Sequence, residues 1–140
     1  MDSTIHVDIV SAEGEIFAGP ARAVFLPASE GDIGVYPRHA PLLTMLRPGE
    51  VRVHTPDGQE HFFYVGGGAL EVQPMQVTVL ADTAVRGHDL DEAAALAAKQ
   101  RAQEALAGRL DKISQAEALA ELARATAQLK LIQKLRKIKG

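Results

Sequence analysis

Residues 89–102 read DLDEAAALAAKQRA. Before this stretch apolar and polar residues alternate. From it onward apolar residues recur at helical spacing. That change of period decides the fold, because a period of two sends side chains to alternate faces of a strand. A period of 3.6 gathers them on one stripe of a helix. Asp89 suits the N-cap, with Glu92 at the third helical position reaching back as in a capping box. Asp89, Asp91 and Glu92 also suit the positive end of the helix dipole. The first helix is expected over about 90–107, with Gly108 as a left-handed stop. Ser114 and Glu117 form a second capping box, opening a helix over about 114–138. At ~1.5 Å per residue the two are roughly 27 and 36 Å long. Their short connection makes them an antiparallel hairpin.

The contact within the hairpin is expected to be thin. Helix one offers Ala94, Ala97, Ala98, Ala102 and Ala105. Helix two carries Leu122, Ala125, Leu129 and Ile132 on one stripe and Leu131, Leu135 and Ile138 on another. Alanines let backbones approach but bury little area, at about 25 cal/mol per Å². An isolated pair of such helices is marginal. The hairpin is therefore expected to lean on the first half of the chain or on a partner, and to be able to switch between them.

Working back from residue 89, the chain reads as strands. In TIHVDIV (4–10), Ile5, Val7 and Ile9 face one way and Thr4, His6 and Asp8 the other, the signature of a half-buried strand. VRVHT (51–55) and EHFFYV (60–65) flank PDG, which predicts a hairpin. ALEVQ and MQVTVL flank Pro74, which predicts a turn. Further turn signals stand at Gly14, Gly19-Pro20, Gly31, Pro48-Gly49, Asp57-Gly58 and Gly66–Gly68. Strands at that spacing indicate an all-β sandwich or flattened barrel. The expected fold class is α+β in two segregated parts, a β domain over 1–86 and a helical hairpin over 87–140.

Composition supports the division. The net charge of −3 conceals five Lys and Arg against twelve Asp and Glu in residues 1–89, and ten against six in residues 90–140. All seven prolines and all six aromatics precede residue 75. Two halves so different in composition are two different structures. The chain has no cysteine, which excludes disulfides and thiolate metal sites. Neither a signal peptide nor an 18-residue apolar run is expected.

The chemistry-bearing residues point away from catalysis. The five histidines show no ligand spacing, although His54 and His61 could face each other across the hairpin. GGG at 66–68 lacks the lysine and hydroxyl of a phosphate loop and reads as a bulge or turn. No nucleophile elbow is present. Loop acids such as Glu13, Glu15, Glu30 and Asp32 are ordinarily just solvated. KLIQKLRKIKG, at the C-terminus, carries five positive charges and no acid. The helix dipole accounts for two of these. Five suggest an acidic partner, whether protein, membrane face or nucleic acid. Nucleic acid is disfavoured by the acidic first half and by the absence of aromatics beside the basic residues. EGDIGVYPRHAPLLTML (30–46) reads either as a plain turn before a strand or as a partner-docking loop.

Taken together, GDIGVYPRHAPLLT (31–44), LEVQPMQVTVLADTA (70–84) and RGHDLDEA (86–93) resemble the epsilon subunits of F-type ATP synthases over essentially the whole chain. Arg38 departs from the family pattern, which usually has glycine before HAPLL. The resemblance implies a β-sandwich followed by a helical hairpin, in a non-catalytic subunit of the central rotor stalk. The implied partners are the gamma subunit, the c-ring subunits and the alpha/beta catalytic subunits. Nucleic acid is not among them, and the membrane is met only through the complex. The implied place is the cytoplasmic face of the bacterial inner membrane, as a peripheral protein. In bacterial members the hairpin folds down on the β domain or extends toward the head, where it inhibits ATP hydrolysis. By match, Glu30, Asp32 and His39 fall on the c-ring side. Lys130, Lys134, Arg136 and Lys137 face acidic helices at the base of the beta subunits.

Some members bind ATP on the folded hairpin. The matching candidates here are Asp91, Arg101 and Arg124. Ala94 and Gln128 stand where those members have arginine, so two of four cationic positions are missing. No cofactor is expected, with at most weak ATP binding. The alternative readings are a free ATP-sensing regulatory protein and a membrane-surface adaptor using the basic tail.

Overall fold

A computed structural model describes residues 3–108 and 114–139. The expected helix connection, residues 109–113, and the side chain of Lys139 lie outside the described residues. The chain divides into two compact units, Met1–Gly87 and His88–Gly140.

The first unit is built from β1 (Ile5–Ser11), β2 (Gly14–Ala21), β3 (Ala23–Ala28), β4 (Gly31–Val35), β5 (Leu42–His54), β6 (Glu60–Gln73), β7 (Gln76–Ala81) and β8 (Ala84–Arg86). They form one hydrogen-bonded sheet in the order β2-β1-β7-β6-β5-β3-β4, with β8 on β6. The sheet folds over itself to give the expected sandwich. Its interior is a single cluster that includes Ile5, Val7 and Ile9 of β1, Val24 and Leu26 of β3, Val51 and Val53 of β5, and Val77 and Val79 of β7. Each of these is at most 1% exposed. Burying a Val, Leu or Ile contributes about 1.5–3 kcal/mol, so the period-2 residues of the sequence are the main apolar source of stability. β1 is antiparallel to β2 but parallel to β7, pairing His6 with Gln76 across most of the unit.

Three of the expected turns lie inside strands. Pro48-Gly49 lies inside β5 and Gly66–Gly68 inside β6, two strands of 13 and 14 residues. These strands stay paired to each other from Leu42–Val72 to His54–Glu60. Their outer neighbours change along the way. β6 holds β8 at Phe63–Val65 and β7 at Gly68–Gln73. The glycines mark the corner where the ribbon passes from one layer to the other. Gly67 and Gly68 have φ of 103° and 142°, which side-chain-bearing residues rarely adopt. A Cβ on Gly68 would lie 2.9 Å from the Ala81 Cα and closer still to the Leu80 carbonyl oxygen. Gly19-Pro20 is likewise inside a strand, β2. That strand is an edge, where a missing N–H breaks no ladder.

The hairpin predicted at PDG joins β5 and β6. The Asp57 carboxylate accepts from the Thr55 hydroxyl and, at 3.2 Å, from the Gln59 amide. Those bonds hold its pKa below the ordinary carboxylate range, the Thr55 hydroxyl first. His54 and His61 do not face each other. The register pairs His54 with Glu60 and His61 with Val53. Neighbouring positions on a strand point to opposite faces. His54 Nε2 lies 2.8 Å from Glu60 Oε2, and the His61 ring packs 5.7 Å from Phe17.

A 3₁₀ turn, Gly87–Asp89, leads into the second unit, which holds α1 (Glu92–Leu106) and α2 (Gln115–Lys139). The N-cap is Asp91 rather than Asp89. Its Oδ1 accepts from the Ala94 N–H at 3.2 Å, which starts the helix two residues later than expected. Gly108 has φ 79°, and its N–H donates to Ala105 as a left-handed stop should. The Ser114 cap forms as expected, with Oγ accepting from Glu117 N at 3.1 Å. The seam is narrower than expected. On α1 only Ala95 and Ala102 are buried, and the expected Ala94 and Ala97 are exposed. On α2, Ala118, Ala125, Leu129 and Leu131 are buried. Ala95 and Ala102 are one heptad apart, as are Ala118 and Ala125, the spacing of a coiled-coil seam.

Replacing Gly68 with alanine should cost the chain about 2–4 kcal/mol, since it adds both a disfavoured φ and a backbone collision. Urea unfolding measures it. A Gly58→Ala control also carries a positive φ but has open space around it, and should cost less.

Candidate functional site

The sandwich presents a tip where β3 turns into β4. Ser29 and Glu30 form the turn, and Gly31 closes it with φ 139°. The turn is tied to β5 at several points. Ser29 N donates to Met45 O at 2.8 Å, and Ser29 Oγ lies 3.4 Å from Thr44 Oγ1. Arg47 Nε donates to Ala28 O at 2.9 Å, and Arg47 Nη2 donates to Asp32 Oδ1 at 2.6 Å. Asp32 remains largely in solvent, with its side chain 84% exposed. Glu30 is exposed beside it.

His39 is not part of this tip. It lies beyond the far end of β4, its N–H donating to Tyr36 O and its Nδ1 lying 2.7 Å from Ala40 O. The same loop is fastened to the β6–β7 turn by Arg38 N donating to Pro74 O at 2.8 Å. Among the described residues Arg38 is the one non-glycine with positive φ, 67°. Glycine adopts this conformation more readily than arginine.

A second surface is apolar. Leu43 is 76% exposed, Met45 59% and Leu80 56%. The register lines up Met45, Ala69, Leu80 and Val10 across β5, β6, β7 and β1, with Leu43 beside Glu71 in the next row. Sequence reasoning missed this face, although a signal was present. LLTML (42–46) is apolar on both strand faces, and only one of them reaches the core. An exposed apolar row of this kind marks an interaction surface.

The hairpin holds the remaining candidates. Asp91 is spent on capping α1. Arg101 and Arg124 are exposed, and neither has a hydrogen bond or ion pair among the described residues. Ala94 is exposed as well. On the basic tail, Lys130 and Lys137 are exposed and Lys134 is half-buried. Arg136 Nη2 donates to Glu92 Oε2 at 2.7 Å, joining the end of α2 to the start of α1. That pair confirms that the helices are antiparallel. Among the described residues no group of His, Asp or Glu could hold a metal ion.

The model of the ATP synthase delta/epsilon chain beta-sandwich domain matches residues 4–87, and that of the long alpha-helix domain matches residues 88–133. The chain belongs to the ATP synthase delta/epsilon chain family. Relatives in that family align nearly end to end. One, the ATP synthase epsilon chain of Nitrosococcus oceani, is 64% identical over 140 residues, covering 100% of both chains. Another, from Alkalilimnicola ehrlichii, is 62% identical over 135 residues, 96% of each chain. A chain of the Euglena gracilis mitochondrial ATP synthase, in an OSCP/F1/c-ring structure, shares the fold with TM-score 0.70 at 20% identity. That match covers 98% of this chain and 82% of the other. A Tetrahymena thermophila central stalk/c-ring chain does so with TM-score 0.62 at 12% identity, over 94% and 98%.

The Asp91 cap gives a direct test of the helix start. Asp91→Ala should cost the hairpin about 1 kcal/mol and speed amide exchange in the first turn of α1, while Asp89→Ala leaves both nearly unchanged. Exchange measured by NMR on the full chain separates the two.

Proposed function

We propose that the chain is the non-catalytic central-stalk subunit of an F-type ATP synthase, coupling proton flow through the c ring to ATP synthesis in the alpha/beta catalytic head. One observation carries this reading: the family match runs without interruption of order through sandwich and hairpin, residues 4–87 and 88–133. The surfaces suit the role. The Leu43, Met45 and Leu80 face offers the apolar area that a permanent neighbour such as the gamma subunit covers. The Glu30–Asp32 tip offers carboxylates to the polar loops of the c ring, with His39 on a separate loop of the same domain. The basic tail, with Lys130, Lys134, Arg136 and Lys137, offers cations to acidic helices of the head, and its docking inhibits ATP hydrolysis.

In this reading the subunit is peripheral, held at the cytoplasmic face of the bacterial inner membrane through the complex. No helix among the described residues is long and apolar enough to cross a membrane. The decisive experiment is purification of the tagged chain from its own membranes. Gamma and c-ring subunits should accompany it, and recovery of the chain without them overturns the proposal.

Two further outcomes follow. Reversing Lys134, Arg136 and Lys137 to Glu should relieve inhibition of ATP hydrolysis in the assembled complex, and raised salt should weaken inhibition by the unaltered chain. Unchanged hydrolysis with the altered subunit still bound excludes the tail as the inhibitory element. For nucleotide, two missing charge-assisted contacts at about 1.5–3 kcal/mol each weaken ATP by about two to four decades relative to a four-cation site. Calorimetry on the isolated chain should therefore give no sub-millimolar dissociation constant.

A further inference from the structure

The corner of the sandwich contains one residue whose arrangement the fold does not require. β3 pairs with β5 at Ala23–His54, Val24–Val53 and Phe25–Arg52, and then again only at Ala28–Leu46. The interruption follows from the chain itself. Pro27 has no N–H to give, and β5 is turning through Pro48-Gly49 at the same level, with Gly49 set against the Pro27 ring. In the β5–β6 ladder Arg47 falls between the pairs Leu46–Gly68 and Pro48–Gly66. Arg47 thus stands beside the break in the β3–β5 ladder, and its side chain supplies a connection there. Nε takes the Ala28 carbonyl at 2.9 Å, and Nη2 takes Asp32 Oδ1 at 2.6 Å.

One planar guanidinium therefore spans the end of β3, the edge strand β4 and the corner of β5. An exposed ion pair contributes little to stability. Its geometric effect is larger, because the guanidinium is planar and rigid: the Nε bond to the Ala28 carbonyl sets the plane from which Nη2 reaches Asp32 Oδ1. Asp32 Oδ2 is left without a hydrogen bond among the described residues, and Glu30 stands beside it on a turn that Ser29 pins to β5.

We propose that Arg47 is a positioning residue for docking: it presents the Asp32 carboxylate, with Glu30, to a hydrogen-bond-donating loop of the partner. This rests on the reading that the tip meets the c ring. Arg47 itself makes no contact with the partner in this account. It sets where Asp32 points and tempers the charge of the tip, so the partner meets one carboxylate held in place, with Glu30 on the turn beside it.

The test uses the full-length chain binding to membranes that carry the gamma subunit and the c ring but have been stripped of their resident copy. Arg47→Gln and Asp32→Asn should each weaken binding about tenfold, and the double variant no more than the weaker single one, as expected for residues that act as a unit. Arg47→Lys should not restore affinity, since an ammonium lacks the planar fork. The Arg47 Nη–H signals in NMR should exchange slowly in the unaltered chain and faster in Asp32→Asn, where the acceptor is neutral, while thermal midpoints of all variants stay within a few degrees. Unaltered affinity of Arg47→Gln alongside weakened Asp32→Asn overturns the inference and leaves the ring-side reading standing. Additive losses, or full affinity with Arg47→Lys, also overturn it. Unaltered affinity of both Asp32→Asn and Glu30→Gln overturns the ring-side reading and the inference with it.

Discussion

The sandwich depends on the close approach of β6 to β7 at Gly68. There the backbone lies against Leu80 and Ala81 with no room for a side chain, and this contact allows the long β5–β6 ribbon to turn from one layer into the other. Without the corner the sheet would remain an open layer with one face unburied. With it, β1, β3, β5 and β7 enclose a single apolar cluster. The same corner disrupts pairing on the β3 side, and Arg47 spans the resulting gap. The element that closes the core therefore also shapes the β3–β4 tip.

The hairpin obeys a different constraint. Its buried seam consists largely of alanines, with Leu129 and Leu131 the large side chains buried on α2. Small residues let helices approach closely but release little apolar area from water. Its ends are secured by polar devices instead: the Asp91 and Ser114 caps, the Gly108 stop and the Arg136–Glu92 pair. Each contributes roughly 1 kcal/mol or less in solvent. Apolar stability is thus concentrated in the first unit, and the second is held largely at its ends. Arg136 is paired with Glu92 within the hairpin, so any other carboxylate partner would have to displace Glu92.

The candidate site was legible in part. Glu30 and Asp32 were found as a pair, and the structure keeps them together at one turn. The family resemblance groups His39 with them, but hydrogen bonding draws its loop to the β6–β7 turn instead. The apolar row of Leu43, Met45 and Leu80 was missed because its members come from strands far apart in the chain. Only LLTML, apolar at both strand parities, hinted at it. The Asp89 cap was misplaced by two residues because Asp89 and Asp91 fit the same local pattern, and a short 3₁₀ turn decided between them.

By itself the sequence determined the two-part architecture. The switch from period two to period 3.6 at residue 89, and the segregation of proline and aromatics from alanine, are local properties that need no long-range contact to read. It also determined Ile5, Val7 and Ile9 as core, the PDG hairpin, and both helix stops and starts to within two residues. Only the tertiary structure decided that Pro48-Gly49 and Gly66–Gly68 are corners inside continuous strands. Only it decided that β1 joins β7 in parallel, and that Arg47 reaches Asp32 across fifteen residues. The physical reason is the range of the interaction. Propensity and capping act over a few residues, whereas ladder register and side-chain convergence are fixed by packing between segments that the sequence alone does not bring together.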